Sequence, residues 1–209
     1  ACCPPWGTEP MGTELEWKLA VPEPALLEEL LAWEELRRLT AEPLRHYHMR
    51  TTYFDTPERL LTRRRLTLRR RMENERSVIC CKAPLGAEDS HLRGEWEVEG
   101  DELAAALPRL PARGAPALLT ELGELRPICG ADFHRRAVLL RLDDGSACEL
   151  ALDAGRLFGP TESLPLCEAE LELKEGAPDA SLALLARLTE RFGLAPQPLS
   201  KFARARALG

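Results

Sequence analysis

Glu14, Glu16 and Lys18 are spaced two residues apart, and so are Glu168, Glu170 and Glu172, followed by Lys174. A spacing of two places such side chains on one face of a β-strand. Three carboxylates aligned on a face repel one another unless cations sit between them. Glu14, Glu16, Glu168 and Glu170 are therefore candidate ligands for Mg²⁺ or Mn²⁺, hard cations that prefer oxygen donors. A second set of positions carries the opposite charge. Arg69 and Arg71 share a strand face, and paired guanidinium forks bind phosphate oxygens bidentately. Taken singly, each stretch also fits a half-buried strand with its charged side in water. The same design returns along the chain with alternating sign, and this points to a charged sheet interior built around a polyphosphate and its metal ions.

The elements that must position these groups follow from the pattern. After the first strand, Pro22-Glu23-Pro24 leads into ALLEELLAWEELRRL, where Leu26, Leu27, Leu30, Leu31 and Trp33 recur at helical spacing. Its early acids and late Arg37-Arg38 suit the helix dipole. Residues 47–57, rich in β-branched and aromatic types and ending at Pro57, read as a strand and a turn. Residues 66–71 and 77–82 read as a hairpin turning at Asn74, with Lys82 in its second strand. Arg93 to Glu99 is a further alternating strand. Residues 101–126 are short helical pieces broken by Pro108, Pro111 and Pro116. Residues 133–142 and 148–154 form another hairpin around Asp143-Asp144-Gly145; the first strand aligns Arg135 with Arg141, and the second aligns Glu149 with Asp153. Asp179 is expected to cap a second amphipathic helix that Gly193 ends. Lys201 lies on a short C-terminal helix.

Composition narrows the classes. The 209 residues allow a sizeable core, and the net charge of −6 argues against a general nucleic-acid binder. Between Arg45 and Lys82, however, 11 basic residues face four acids, a local concentration that fits an anionic ligand. Four of the 28 basic residues are lysines, at positions 18, 82, 174 and 201. With arginine so favoured, each lysine marks a place for a compact point charge. The seven cysteines show no C-x-x-C spacing, so thiols in a reducing cytoplasm are expected rather than zinc or disulfides. His46 and His48 share a face and could ligate metal, but no third ligand is near in sequence, and a histidine without a metal role is the expected state. No apolar run reaches membrane-span length. Residues 1–10 are read as an N-terminal extension and 11–209 as one domain. There is no P-loop, dinucleotide fingerprint or nucleophile elbow.

Together the stretches resemble the CYTH superfamily, the triphosphate tunnel metalloenzymes, from about Thr13 to Arg204. The signature E-x-E-x-K stands at Glu14, Glu16 and Lys18, and a tyrosine strand ending in D-T-P at Tyr53 to Pro57. The L-R-x-R strand is Leu68 to Arg71, followed by the lysine strand at Lys82 and R-x-E-x-E at Arg93, Glu95 and Glu97. Arg135 matches the central arginine, Glu149 to Asp153 the late acidic strand, and Glu168, Glu170 and Glu172 the E-x-E-x-E strand. Ser200, Lys201 and Arg204 match the terminal S-K-x-x-R. Within the superfamily the chain looks most like the bacterial inorganic triphosphatases. It departs from the pattern at Thr67-Leu68, at Arg70, and at Ala205-Arg206, where relatives often read G-Y.

The resemblance implies an α+β fold, an eight-stranded antiparallel β-barrel forming a triphosphate tunnel, with helices packed outside. It implies hydrolysis of inorganic triphosphate to pyrophosphate and phosphate. Lys18, Arg69, Arg71, Lys82, Arg135, Lys201 and Arg204 would hold the phosphate chain. Glu14, Glu16, Glu168 and Glu170, with Asp153 and Glu172, would hold Mg²⁺ or Mn²⁺, and Glu14, Glu16, Lys18 and Glu170 would form the catalytic set. Thiamine triphosphate, a nucleoside triphosphate (including cyclisation of ATP) and non-catalytic polyphosphate binding are the alternatives. Inorganic triphosphate or polyphosphate is the expected partner, with no nucleic acid and no membrane, in the cytoplasm. A helical CHAD domain often follows in similar chains and is expected to be absent or removed beyond Gly209.

Overall fold

The computed structural model of the chain describes residues 12–84 and 93–209, with side chains for 15–84 and 94–209. In chain order its elements are β1 (Gly12–Glu14), β2 (Glu16–Ala20), α1 (Ala25–Ala32), α2 (Glu34–Leu39), β3 (Arg45–Asp55), α3 (Leu60–Arg63), β4 (Thr67–Glu73) and β5 (Arg76–Pro84). Then come β6 (Arg93–Glu99), α4 (Leu103–Ala106), three 3₁₀ turns between Leu107 and Thr120, β7 (Arg126–Arg141), β8 (Ala147–Phe158), β9 (Ser163–Glu175), α5 (Asp179–Phe192), β10 (Ala195–Pro196) and α6 (Lys201–Arg206). The class is α+β with antiparallel pairing, as expected. Ten strands are described rather than eight, because the opening strand breaks at Leu15 into β1 and β2, and the two-residue β10 is added.

The chain divides into two compact units. The first contains the residues up to Glu14 together with Thr52–Ile128. In it β1, β6, β5 and β4 pair side by side, with Arg69 opposite Cys80 and Lys82 opposite Glu95. One sheet face is apolar: Leu68, Ile79, Cys81, Trp96 and Val98 pack with Leu107, Leu110 and Leu119 from the 3₁₀ segment. Arg70, on this face by parity, escapes it by donating to the Asp101 carbonyl at 3.3 Å. The other face carries Arg69, Arg71, Cys80, Lys82, Glu95 and Glu97. Asn74 turns the hairpin with φ 56°, a left-handed value that Asn tolerates.

The D-T-P stretch is a structural turn. Buried Asp55 accepts from the backbone N–H groups of Thr56 (2.8 Å), Leu61 (2.8 Å) and Thr62 (3.0 Å), and the Thr56 hydroxyl accepts from Leu60 N–H at 3.1 Å. Asp55→Ala strands three donors and is expected to lower stability by about 2–3 kcal/mol, read as a fall in the urea midpoint at unchanged slope.

The second unit holds Leu15–Thr51 and Cys129–Gly209. Here β7, β8, β9, β2 and β10 pair in that order. Leu19, Leu140, Leu150, Leu152 and Leu171 form the apolar face, covered by Leu27 and Leu30 of α1, Leu36 of α2, and Leu184 and Leu188 of α5. The single helix expected over ALLEELLAWEELRRL is two. Trp33 is extended (ψ 125°) between α1 and α2, and its ring meets Phe192 edge-on at 5.8 Å with the Arg191 guanidinium over it. Packing of the indole on α5 thus overrides a sequence with no helix breaker. Asp179 does not cap α5. It is the first residue of the helix, after Pro178, and its charge acts on the first turn instead. Gly193 ends α5 at φ 63°, as expected. Among the described residues, no helix is long and apolar enough to cross a membrane.

Candidate functional site

In the second unit the register lines up the charged face strand by strand. Arg135 lies opposite Asp153, Asp153 opposite Glu168, Ala151 opposite Glu170 and Glu170 opposite Lys18. Cross-strand neighbours point the same way, so alternation along each strand and pairing between strands bring Asp153, Glu168 and Glu170 together. Their oxygens lie within 4.8 Å of one another and all three residues are buried.

Four cationic side chains act on this triad. Arg135 grips Asp153 with both faces of its fork, Nε to Oδ1 at 2.8 Å and Nη2 to Oδ2 at 2.7 Å, and donates to Glu170 Oε2 at 2.5 Å. Lys201, reaching in from α6, contacts Asp153 Oδ2 at 2.7 Å and Glu170 Oε1 at 2.9 Å and also donates to Glu168. Arg204, one turn on, donates to the other Glu168 oxygen. Lys18 adds an attractive charge to Glu170. Ser200 fixes the start of α6, its hydroxyl accepting from Ala203 N–H at 3.1 Å.

The two central carboxyls separate in acidity. Burial raises Glu168 above the usual carboxylate range, with Glu170 adding to it, and Lys201 and Arg204 only partly offset this. Burial would also raise Glu170, but Lys201, Arg135 and Lys18 together outweigh it and hold its carboxyl well below the usual range. Burial raises Glu172 as well, against the attraction of Lys174.

Glu16 and Glu172 are opposite one another on the same face but are not part of the triad. Glu16 pairs with Lys18, and Glu172 pairs with Lys174 at 2.7 Å. Glu149, two residues from Ala151, pairs with Arg45 at 2.5 Å. Glu14 ends β1 opposite Arg93 in register, and its side chain lies outside the described residues. Among the described residues, the groups able to hold a metal are this triad and a cluster of Cys80, Glu95 and Glu97, and neither includes His46 or His48. His48 instead meets Asp132 at 2.6 Å and stacks on His134 at 4.7 Å.

The first unit carries its own charged cluster. Arg69 donates to Glu95 at 2.8 Å, Lys82 contacts the other Glu95 oxygen at 3.1 Å, and Arg71 donates to Glu97 at 3.0 Å. Cys80 donates its thiol proton to Glu95 at 2.8 Å, and burial pushes that thiol well above its ordinary pKa. The Nε–H groups of Arg69 and Arg71 are buried without a hydrogen-bond partner among the described residues, as is that of Arg204. Such donors are costly to leave unpaired, and guanidinium donors call for an anionic acceptor. Sequence reasoning placed Glu95 and Glu97 on the R-x-E-x-E strand but gave them no role, and it gave Cys80 none. Their signal was available, since period-two spacing sets Glu95 and Glu97 on one face and Cys80 on the face of Lys82.

The donor set fits a divalent cation. The triad offers carboxylate oxygens alone, buried and converging, a hard donor set able to hold a metal ion.

Known proteins resemble this chain in family and fold. The family model described as the CYTH domain matches residues 12–205. The inorganic triphosphatase of Haemophilus influenzae is 28% identical over 169 residues, which are 78% of this chain and 46% of that protein. The chain thus spans about half the length of that curated relative. Among solved structures, a candidate adenylyl cyclase from Hippeastrum, described as having a dominant triphosphatase activity, superposes with a TM-score of 0.63 at 21% identity, covering 93% of this chain and 95% of that one. A candidate adenylate cyclase from Bacillus halodurans gives a TM-score of 0.58 at 16% identity, covering 92% of this chain and 96% of its own. These likenesses concern the fold.

Proposed function

The chain belongs to the CYTH domain family, and from that premise we propose that it hydrolyses inorganic triphosphate to pyrophosphate and phosphate with the help of a divalent cation. The observation that carries the reading is the buried triad of Asp153, Glu168 and Glu170 with basic side chains around it. A binding module for polyphosphate needs the basic groups alone. Three converging buried carboxylates are costly to such a module and useful to a metal enzyme.

Asp153, Glu168 and Glu170 would hold the cation, with Glu14, Glu16 and Glu172 as further carboxylates on the same reading. When bound, Mg²⁺ or Mn²⁺ supplies polarisation of a phosphoryl oxygen and neutralises developing charge. The chain's own residues do the rest. Arg135 fixes Asp153 and Glu170 through three hydrogen bonds, so the carboxylates are positioned before any ligand arrives. Lys18 and Arg204 add positive charge beside the triad. Arg69, Arg71 and Lys82 are assigned phosphate oxygens, a role supported by the unpartnered Nε–H groups of both arginines. Phosphoryl transfer asks for positioning and charge stabilisation more than for covalent chemistry, and that is what this set of side chains offers. The five described cysteines are free.

The test is phosphate release from triphosphate, pyrophosphate, ATP and thiamine triphosphate, each with Mg²⁺, Mn²⁺ or EDTA. Metal-dependent turnover of triphosphate above the other three is expected. Preference for ATP or thiamine triphosphate would overturn the substrate assignment. Absence of turnover with polyphosphate still bound would overturn the enzyme.

A further inference from the structure

An ammonium group has three N–H donors and no more. Lys201 turns two of them on the triad, donating to Glu170 (2.9 Å) and Glu168, and its nitrogen also lies 2.7 Å from an Asp153 oxygen as an ion pair. Its side chain is 10% exposed, while those of Asp153 and Glu168 are fully buried. The nitrogen therefore stands where the three carboxylates converge. That is the place a divalent ion would take on the same oxygens, since Mg²⁺ sits about 2.1 Å from its ligands and cannot share the space.

We propose that Lys201 and a divalent cation are alternative occupants of the Asp153–Glu168–Glu170 triad, so that metal binding expels the lysine and frees its ammonium for an anionic phosphate. The inference rests on the reading of the triad as a metal site. With no metal, the triad's positive partners are Lys201, Arg135 and Arg204, with Lys18 beside Glu170. Exchange of the lysine for a divalent ion adds one positive charge to the triad and releases another beside it. Both changes favour a polyanion. The two roles of Lys201 thus belong to two states, as an internal stand-in for metal in one and a phosphate contact in the other. Such a device gives the three buried carboxylates a cationic partner before the cofactor arrives. It also makes the metal's affinity depend on a competitor built into the chain. Ser200 capping and the full burial of Ala205 hold α6 in place, so the exchange is a swing of the long lysine side chain rather than loss of the helix.

Two measurements test it without recourse to activity. First, Mn²⁺ binding alone is measured by calorimetry for the unaltered chain, Lys201→Gln and Glu170→Gln. Lys201→Gln is expected to bind Mn²⁺ at least about tenfold more tightly, because its competitor is gone, and Glu170→Gln to lose that binding. If Lys201→Gln binds no more tightly than the parent while Glu170→Gln has lost the ion, the metal reading stands and the exchange is refuted. If Glu170→Gln binds Mn²⁺ as well as the parent, the triad is not the metal site and both fall. Second, acetylation by an amine-reactive ester is mapped by mass spectrometry on the unaltered chain, which has four lysines. Lys201 labelling should rise severalfold when Mg²⁺ replaces EDTA. Unchanged labelling at saturating Mg²⁺ overturns the proposal, and this arm needs no variant to fold.

Discussion

Glu170→Gln is expected to cut metal-dependent triphosphate hydrolysis by about a thousandfold, the scale of losing several kcal/mol of transition-state charge stabilisation, with the fold retained. Glutamine keeps the size and one acceptor of Glu170 but removes the negative charge that Lys201, Arg135 and Lys18 share. Arg135 keeps both bonds to Asp153, and Lys201 keeps Asp153 and Glu168. No buried charge is thus left alone, and the loss belongs to function rather than folding. Initial rates at saturating Mn²⁺, alongside circular dichroism and a thermal melt, make the separation. A variant that retains activity within a factor of ten would remove Glu170 from the catalytic set.

Much of this site could be read in the chain because strand periodicity is a strong local rule. Spacing alone set Glu168 and Glu170 on one face, and Arg69 with Arg71 on another. The alternation of Leu, Trp and Val opposite them gave the apolar faces that α1, α2 and α5 cover. What spacing could not give is register. Asp153 meets Glu168, rather than a residue two positions away, because β8 and β9 pair in one of several registers that all keep charge inward. The same limit separated Glu16 and Glu172 from the triad, though both share its face. Tertiary contacts hid the rest. Nothing local to Trp33 ends a helix, and its ring instead packs on Phe192 and Arg191 of α5. Lys201 lies 31 residues beyond Glu170 in sequence, and its seat on the carboxylates depends on where α6 docks. Glu95 and Glu97 were placed on the R-x-E-x-E strand but given no role for a different reason. Acids on a basic face look like surface compensation until pairing puts them against Arg69, Arg71 and Lys82.

The second large effect concerns stability. Arg135→Gln is expected to cost about 3–5 kcal/mol near neutral pH, the usual penalty for breaking a buried ion pair by removing one partner. The variant loses both bonds to Asp153 and the bond to Glu170, leaving Asp153 to Lys201 and Glu170 to Lys201 and Lys18. The cost should depend on pH with a definite sign. Burial opposes ionisation of Glu170, but Lys201, Arg135 and Lys18 hold its pKa well below the ordinary value. A carboxyl depressed in the folded state contributes stability that is fully present above its unfolded pKa and is lost as the pH falls through the folded one. Removing Arg135 shrinks that depression. The gap between parent and variant should therefore be widest above the ordinary glutamate value, about 4.3, and narrow as the solution is acidified below it. Glu168 works in the opposite direction, since burial raises its pKa and its ionisation costs stability as the pH climbs past the ordinary value. It is present in both proteins, so the narrowing belongs to the groups that Arg135 touches. Urea unfolding of the metal-free proteins at pH 7 and in steps down to about pH 2, through the depressed folded-state range of Glu170, measures both terms. A gap that stays constant between those pH values would mean that Arg135 acts through packing, and that the charge on Glu170 is held down by Lys201 and Lys18 alone.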